Sequence, residues 1–147
     1  MEVTMEPVDL GGSDTESQSL LQDTSTGKYT RTDDKKGVSW IPLGDGKHFR
    51  VTVRGKADAE LSLITYHDIG LNHRSCFAVF FNEPHIKKMF SDFRIYHIDA
   101  PGQEEEAEDI NNEELYYSMQ ELSEQIQLVV DFFSIKTFIG LGVGAGG

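Results

Sequence analysis

The chain has 147 residues, 38% of them hydrophobic, so one domain with a modest core is the natural expectation. A formal net charge of -12, with basic residues scattered as in Lys35-Lys36 and Lys87-Lys88, argues against nucleic acid as a partner. One cysteine, Cys76, excludes an intrachain disulfide, and no run of about 18 apolar residues is present to span a bilayer.

In chain order, the N-terminus (Met1-Glu2-Val3-Thr4-Met5-Glu6-Pro7) has neither the basic nor the apolar region of a signal peptide, and a cytoplasmic location is expected. Residues 1–36 are rich in Ser, Thr, Asp and Glu and cannot bury enough apolar surface to offset chain entropy. They read as a disordered acidic leader, with residues 37–147 as the folded part. Val38 to Leu43 is extended and placed at a sheet edge by Pro42. Gly44-Asp45-Gly46 signals a turn, and Phe49 to Arg54 alternates apolar and polar, so an antiparallel hairpin is predicted. Leu61 to Tyr66 is a β-rich run. Ser75 to Phe90 is apolar on one face and interrupted at Pro84, which predicts one broken helix or two short ones.

Phe93 to Ile98 is the next predicted strand, followed by an acidic loop over 104–114. Met119, Leu122, Ile126, Val129, Val130 and Phe133 share one helical face, with Ser118 as N-cap and Glu121 at the capping-box position. Thr137 to Leu141 reads as a last strand that runs into a glycine-rich turn. Strands alternating with helices predict an α/β fold with a mostly parallel sheet, and chemistry gathers beyond the carboxyl ends of such strands. Three motifs stand there: His67-Asp68-Ile69-Gly70, Asp99-Ala100-Pro101-Gly102 and Gly142-Val143-Gly144-Ala145-Gly146.

The runs Leu63 to His73, His97 to Gln103 and Ile139 to Gly146, in this order and spacing, resemble the NDR (N-myc downstream-regulated) family. The resemblance covers roughly residues 49–147 and implies the N-terminal half of an α/β-hydrolase fold without hydrolase activity. It also implies a cytoplasmic protein linked to stress response, differentiation and signalling, acting through protein partners. The acidic loop is more charged than the family leads one to expect.

The residues support this separately. A nucleophile elbow, G-x-S-x-G, lifts a serine above the sheet on a strained turn that needs small neighbours. Here Gly142 and Gly146 keep the flanks while Gly144 stands where the serine would be. A glycine has no group to attack a carbonyl, and removing such a nucleophile costs about 10⁶-fold in kcat in a tested protease. The acid and histidine of a triad follow the nucleophile in this fold. Only Ala145, Gly146 and Gly147 follow Gly144 in these 147 residues, so the sequence reads as a fragment of the domain. A vestigial oxyanion hole would draw on the N–H of Ala145 and one from the Asp68-Ile69 loop. His67, Asp68, Ile69, Asp99 and Ala145 are therefore the expected pocket residues, with no catalytic group among them.

Other readings of the same motifs are weaker. His67-Asp68 spells the pair used by HD-type metal phosphohydrolases, but that pair sits on helices and this one follows a strand, so no metal is expected. Gly142-x-Gly144-x-x-Gly147 matches the dinucleotide fingerprint in letters, yet two strand–helix units precede it, so no cofactor is expected. The acidic run lacks EF-hand spacing and reads as a solvated loop. Cys76 reads as a packed residue, since nothing near it in sequence would lower its pKa. Three functions remain in view: a non-catalytic interaction module, a hydrolase in which His67 or Asp99 activates water, and a truncated product with little function of its own.

Overall fold

The computed structural model describes residues 31–33, 37–108 and 116–147. Most of the predicted leader (1–30 and 34–36) and part of the acidic loop (109–115) lie outside the described residues. The strands are β1 (Arg31–Asp33), β2 (Val38–Gly44), β3 (Lys47–Gly55), β4 (Leu61–Tyr66), β5 (Phe93–Asp99) and β6 (Ile139–Gly142). The helices are α1 (His73–Asn82), α2 (Pro84–Met89) and α3 (Met119–Phe132), and a 3₁₀ turn covers Gly144–Gly146.

The strands form a single six-stranded sheet in the order β1-β2-β3-β5-β4-β6. Only β4–β5 and β4–β6 are parallel; β1–β2, β2–β3 and β3–β5 are antiparallel. The sheet is thus mixed, and the expectation of a mostly parallel one is corrected. For β1–β2 and β2–β3 the cause is the short connections at the N-terminal end. Gly44 to Gly46 turns β2 straight back on β3, and a hairpin can only pair antiparallel strands. Parallel pairing begins where helices provide the crossovers, through α1 and α2 and then α3.

β1 falls inside the stretch expected to be a leader. Its pairing reaches only Val38 to Trp40 of β2, so Pro42 has no strand on that side to which an N–H would have to donate. The break at Pro84 gives two helices. Asn72 caps the first, and Glu83 ends it and caps the second, with Pro84 at its first position. α3 begins at Ser118 with the expected capping box to Glu121.

Alternation along the strands separates two interiors. Ile41, Phe49, Val51, Ile64, Tyr66, Tyr96 and Ile98 pack with Val129 of α3 into the main apolar core. The opposite face carries Arg50, Thr52, Thr65, His97 and Asp99, which meet α1 across Phe77 and Phe81. Polar residues in that second interior set the geometry of the candidate site.

Candidate functional site

The three motifs converge at the carboxyl ends of the parallel strands. β4 and β6 pair as far as Tyr66 and Gly142, and Val143 N donates back to the Tyr66 carbonyl at 3.2 Å. The glycine turn therefore lies directly against the β4 loop. At Gly146 a side chain would run into the Tyr66 and His67 carbonyls, so this close approach requires glycine. Gly144 has φ +57°, and a Cβ there would strike the carboxyl group of Asp68. Both its conformation and its surroundings exclude a side chain as the turn stands.

Asp68 is the centre of the arrangement. Its Oδ1 accepts from Ile69 N at 2.8 Å and from Ala145 N at 2.9 Å. The sequence pointed to the Ala145 amide and to an unspecified one from the Asp68-Ile69 loop as oxyanion donors; here Ala145 N and Ile69 N both point at one carboxylate oxygen. The hydrogen bonds from Ala145 and then Ile69 hold the Asp68 carboxyl below the ordinary carboxylate range.

His67 is buried, and both its ring nitrogens are engaged. Ala100 N donates to Nε2 at 2.9 Å, which places the ring proton on Nδ1, where it is donated to the Asp68 carbonyl at 2.8 Å. His67 thereby ties the β4 loop to the β5 loop. Gln103 adds a second tie by accepting from Gly70 N at 2.7 Å. Ile69 itself is exposed.

Asp99 faces the other way, into the polar interior under α1. It is fully buried; Oδ1 accepts from His73 N at 2.7 Å, and His73 Nδ1 stands 2.8 and 2.7 Å from its two oxygens. Arg50 Nε lies 3.8 Å from Oδ2. The His73 ring stacks on His97 with centroids 5.3 Å apart, and His97 Nδ1 lies 2.7 Å from the Thr65 hydroxyl. Burial, then the neighbouring His73, pushes the His97 pKa down to about 3, so this imidazole is neutral. Burial, then the Asp99 charge, raises the Tyr66 hydroxyl above its ordinary range, and it donates to Gln125 Oε1 at 2.8 Å.

The structure thus brings together His67, Asp68, Ile69, Gly142, Gly144, Ala145 and Gly146, and it sets Asp99 apart with His73. His73, Thr65 and Gln103 were not given these roles by the sequence. Asn72 and Ser75, which form a capping box at the start of α1, were a readable signal that His73 opens a helix. A cavity of about 320 Å³ lies beside the β4 loop, lined by Ile69, Gly70, Pro101, Gly102, Gln103 and Leu122 among others. A larger hollow of about 580 Å³, lined by Ser62, Arg94 and Lys136 among others, sits at the amino ends of the same strands. In open sheets of this kind the carboxyl ends are where ligands bind, so the smaller cavity is the relevant one. Among the described residues, no group of three or more His, Cys, Asp or Glu is placed to hold a metal ion, and no helix is long and apolar enough to cross a membrane.

A sequence model of the Ndr family matches residues 45–147, most of the chain and all three motifs. The chain belongs to the Ndr family. It is 50% identical over 86 residues to an NDRG-like protein of Dictyostelium discoideum, covering 58% of this chain and 26% of that protein. It is 38% identical over 133 residues to Protein NDRG3 of Xenopus tropicalis, covering 90% of this chain and 34% of that one. The Ndr chain therefore spans about a quarter to a third of the length of these relatives.

Solved structures agree on the fold. A hydrolase from Pseudomonas aeruginosa superposes with a TM-score of 0.56 at 18% identity, covering 74% of this chain and 37% of that one. A proline iminopeptidase-related protein from Thermus thermophilus gives 0.55 at 18% identity, covering 74% and 36%. At these identities the likeness concerns the fold alone: this Ndr chain has part of an α/β-hydrolase fold.

Proposed function

We propose that this Ndr-family chain is part of a non-catalytic interaction module, a hydrolase frame that presents a surface to protein partners in signalling, stress response or differentiation. One observation carries the reading. The turn after β6, which we assign as a degenerate nucleophile elbow, has Gly144 at the nucleophile position with the Asp68 carboxylate against it. Acyl transfer needs a nucleophile there and empty N–H donors for the developing oxyanion. In this reading both requirements fail: Gly144 offers no attacking atom, and Asp68 already occupies both donors.

The contacts also weigh against a hydrolase that activates water. His67 spends both ring nitrogens on backbone groups, and Asp99 is fully buried against His73. Neither is placed to take a proton from a water in the cavity. On this reading the charge and the absence of a basic patch favour protein partners over nucleic acid, and the cell compartment is the cytoplasm.

The test is an esterase, lipase and thioesterase panel on the longest natural form of the protein. The expected outcome is no turnover above buffer. Turnover that persists through repurification and is lost on both His67→Ala and Asp99→Ala would favour the water-activating reading instead.

A further inference from the structure

The polar interior under α1 opens onto a hollow of about 230 Å³ between that helix and strands β3 and β5. Its polar lining includes Arg54 of β3, His97 of β5 and His73 and Arg74 of α1, with Phe77 and Phe81 as an apolar wall. Among the described residues no Asp or Glu lines it, on a chain whose formal net charge is -12. The lining is held in place by groups outside it. His73 Nδ1 stands 2.8 and 2.7 Å from the two oxygens of the fully buried Asp99, which fixes the ring and leaves Nε2 for a ligand. Glu105 accepts from Arg74 Nη1 at 2.6 and 2.8 Å. A guanidinium carries several N–H donors, so this pairing, and the contacts Arg54 makes within the chain, leave donors for the hollow. Thr52 pairs with His97 in the β3–β5 register, and its Oγ1 is fully buried with no hydrogen-bond partner among the described residues. A donor is therefore left unspent beside a ring that lines the hollow.

We propose that this hollow is a binding site for a small tetrahedral oxyanion of the phosphate or sulfate class, taken by the guanidinium groups of Arg54 and Arg74 and by His73 Nε2. The donor set selects that class. A guanidinium fork matches a pair of oxygens on such an ion, and an imidazolium adds a charge-assisted hydrogen bond. A tetrahedral ion presents oxygens in several directions at once, which suits donors that come from β3 and from α1. The same arginines repel a metal cation from the two imidazoles. Size sets the upper limit. Pockets for drug-sized ligands begin at about 300 Å³, so this one, at about 230 Å³, takes an inorganic ion or a small monoester and not a nucleotide. The hollow is lined by none of the strand-end residues around Asp68, so its binding and the absence of hydrolysis can fail separately.

The experiment is an amide NMR titration of the full 147-residue chain with sodium sulfate and, separately, with sodium phosphate, using sodium chloride at matched ionic strength as the control. Saturable shifts are expected at Arg74, Phe77 and His97 with the oxyanions and not with chloride; saturation by one oxyanion alone assigns the ion. Arg74→Gln alters an exposed side chain of α1 and is expected to weaken binding about ten-fold through the loss of a charge-assisted hydrogen bond. His73→Gln keeps an N–H for Asp99 and is expected to weaken it by a similar factor. Lys87→Gln, exposed on α2, removes the same charge and should leave binding unchanged. No saturable shift with either oxyanion, shifts with chloride that match them, or an affinity in Arg74→Gln no weaker than in Lys87→Gln would overturn the proposal. If His73→Gln does not fold, the comparison of Arg74→Gln with Lys87→Gln decides.

Discussion

His97 and Asp68 show how differently two titratable residues of one chain can be held. His97 lies under α1 with aromatic rings on several sides and the Thr65 hydroxyl at one nitrogen. Its pKa is pushed down to about 3, chiefly by burial, so the folded chain binds no proton there while the unfolded chain does below its ordinary value. Stability is fully present above about pH 6.5 and falls as the pH drops from there toward 3. The loss between pH 7 and pH 5 is about 2 kcal/mol. His97→Gln keeps a partner for Thr65 and removes the titration, so its urea midpoint should be nearly flat over the same interval. A midpoint that falls as steeply in the variant would assign the acid sensitivity elsewhere.

Asp68 works in the same direction at lower pH. Its carboxyl is held low by the Ala145 and Ile69 amides, so its stabilising contacts persist above its ordinary pKa and disappear as the pH falls through the folded value. Gly144 answers to the same carboxylate. Gly144→Ser restores a hydroxyl at the assigned nucleophile position, yet it should gain no esterase activity and lose at least about 1 kcal/mol of stability to the left-handed backbone alone. Urea denaturation with an unchanged m-value would record that loss. Gly144 was readable from the sequence because a motif is a local pattern. The role of Asp68 was not, since its second donor, Ala145, lies 77 positions away and only the β4–β6 register brings the two together.

At the scale of elements, local signals were legible and long-range ones were not. The turn at Gly44 to Gly46 announced the β2–β3 hairpin, Pro84 the break between α1 and α2, and Ser118 with Glu121 the start of α3. Each depends on residues within a few positions of each other. The antiparallel pairing of β3 with β5 depends on partners such as Arg50 and Asp99, and nothing in either strand's own pattern states that direction. Short Arg31–Asp33 was hidden for a related reason: its pairing with β2 overrides a composition that by itself favours no structure. Helix α3 separates capping from packing. Ser118→Ala removes an N-cap hydrogen bond and should cost about 1 kcal/mol. Val129→Ala opens a gap in the fully buried core against the sheet and should cost about 2 kcal/mol. Thermal melts of the two variants should rank in that order; a larger loss from Ser118 would mean that α3 is held by its end more than by its face.

At the scale of the whole molecule, the sheet has two interiors with different work. The α3 side is an ordinary apolar core, and the α1 side is a buried polar strip running from Thr65 through His97 and His73 to Asp99 and Arg50. That strip anchors the start of α1 and thus the loop before it, which carries Asp68 and Ile69. At the strand ends that this loop reaches, the Asp68 carboxylate accepts from the Ile69 and Ala145 amides. The class of fold was legible because strand–helix alternation is a whole-chain pattern; the contact of Asp68 with Ala145 was not, because it is a matter of a few atoms. The central claim is that this frame no longer performs hydrolysis, and it meets its most direct test in an acyl-ester and thioester hydrolysis panel on the longest natural form of the protein, repurified and assayed beside a Gly144→Ser variant. No turnover from either is the predicted result, whereas robust hydrolysis that follows the unaltered protein through repurification would contradict it.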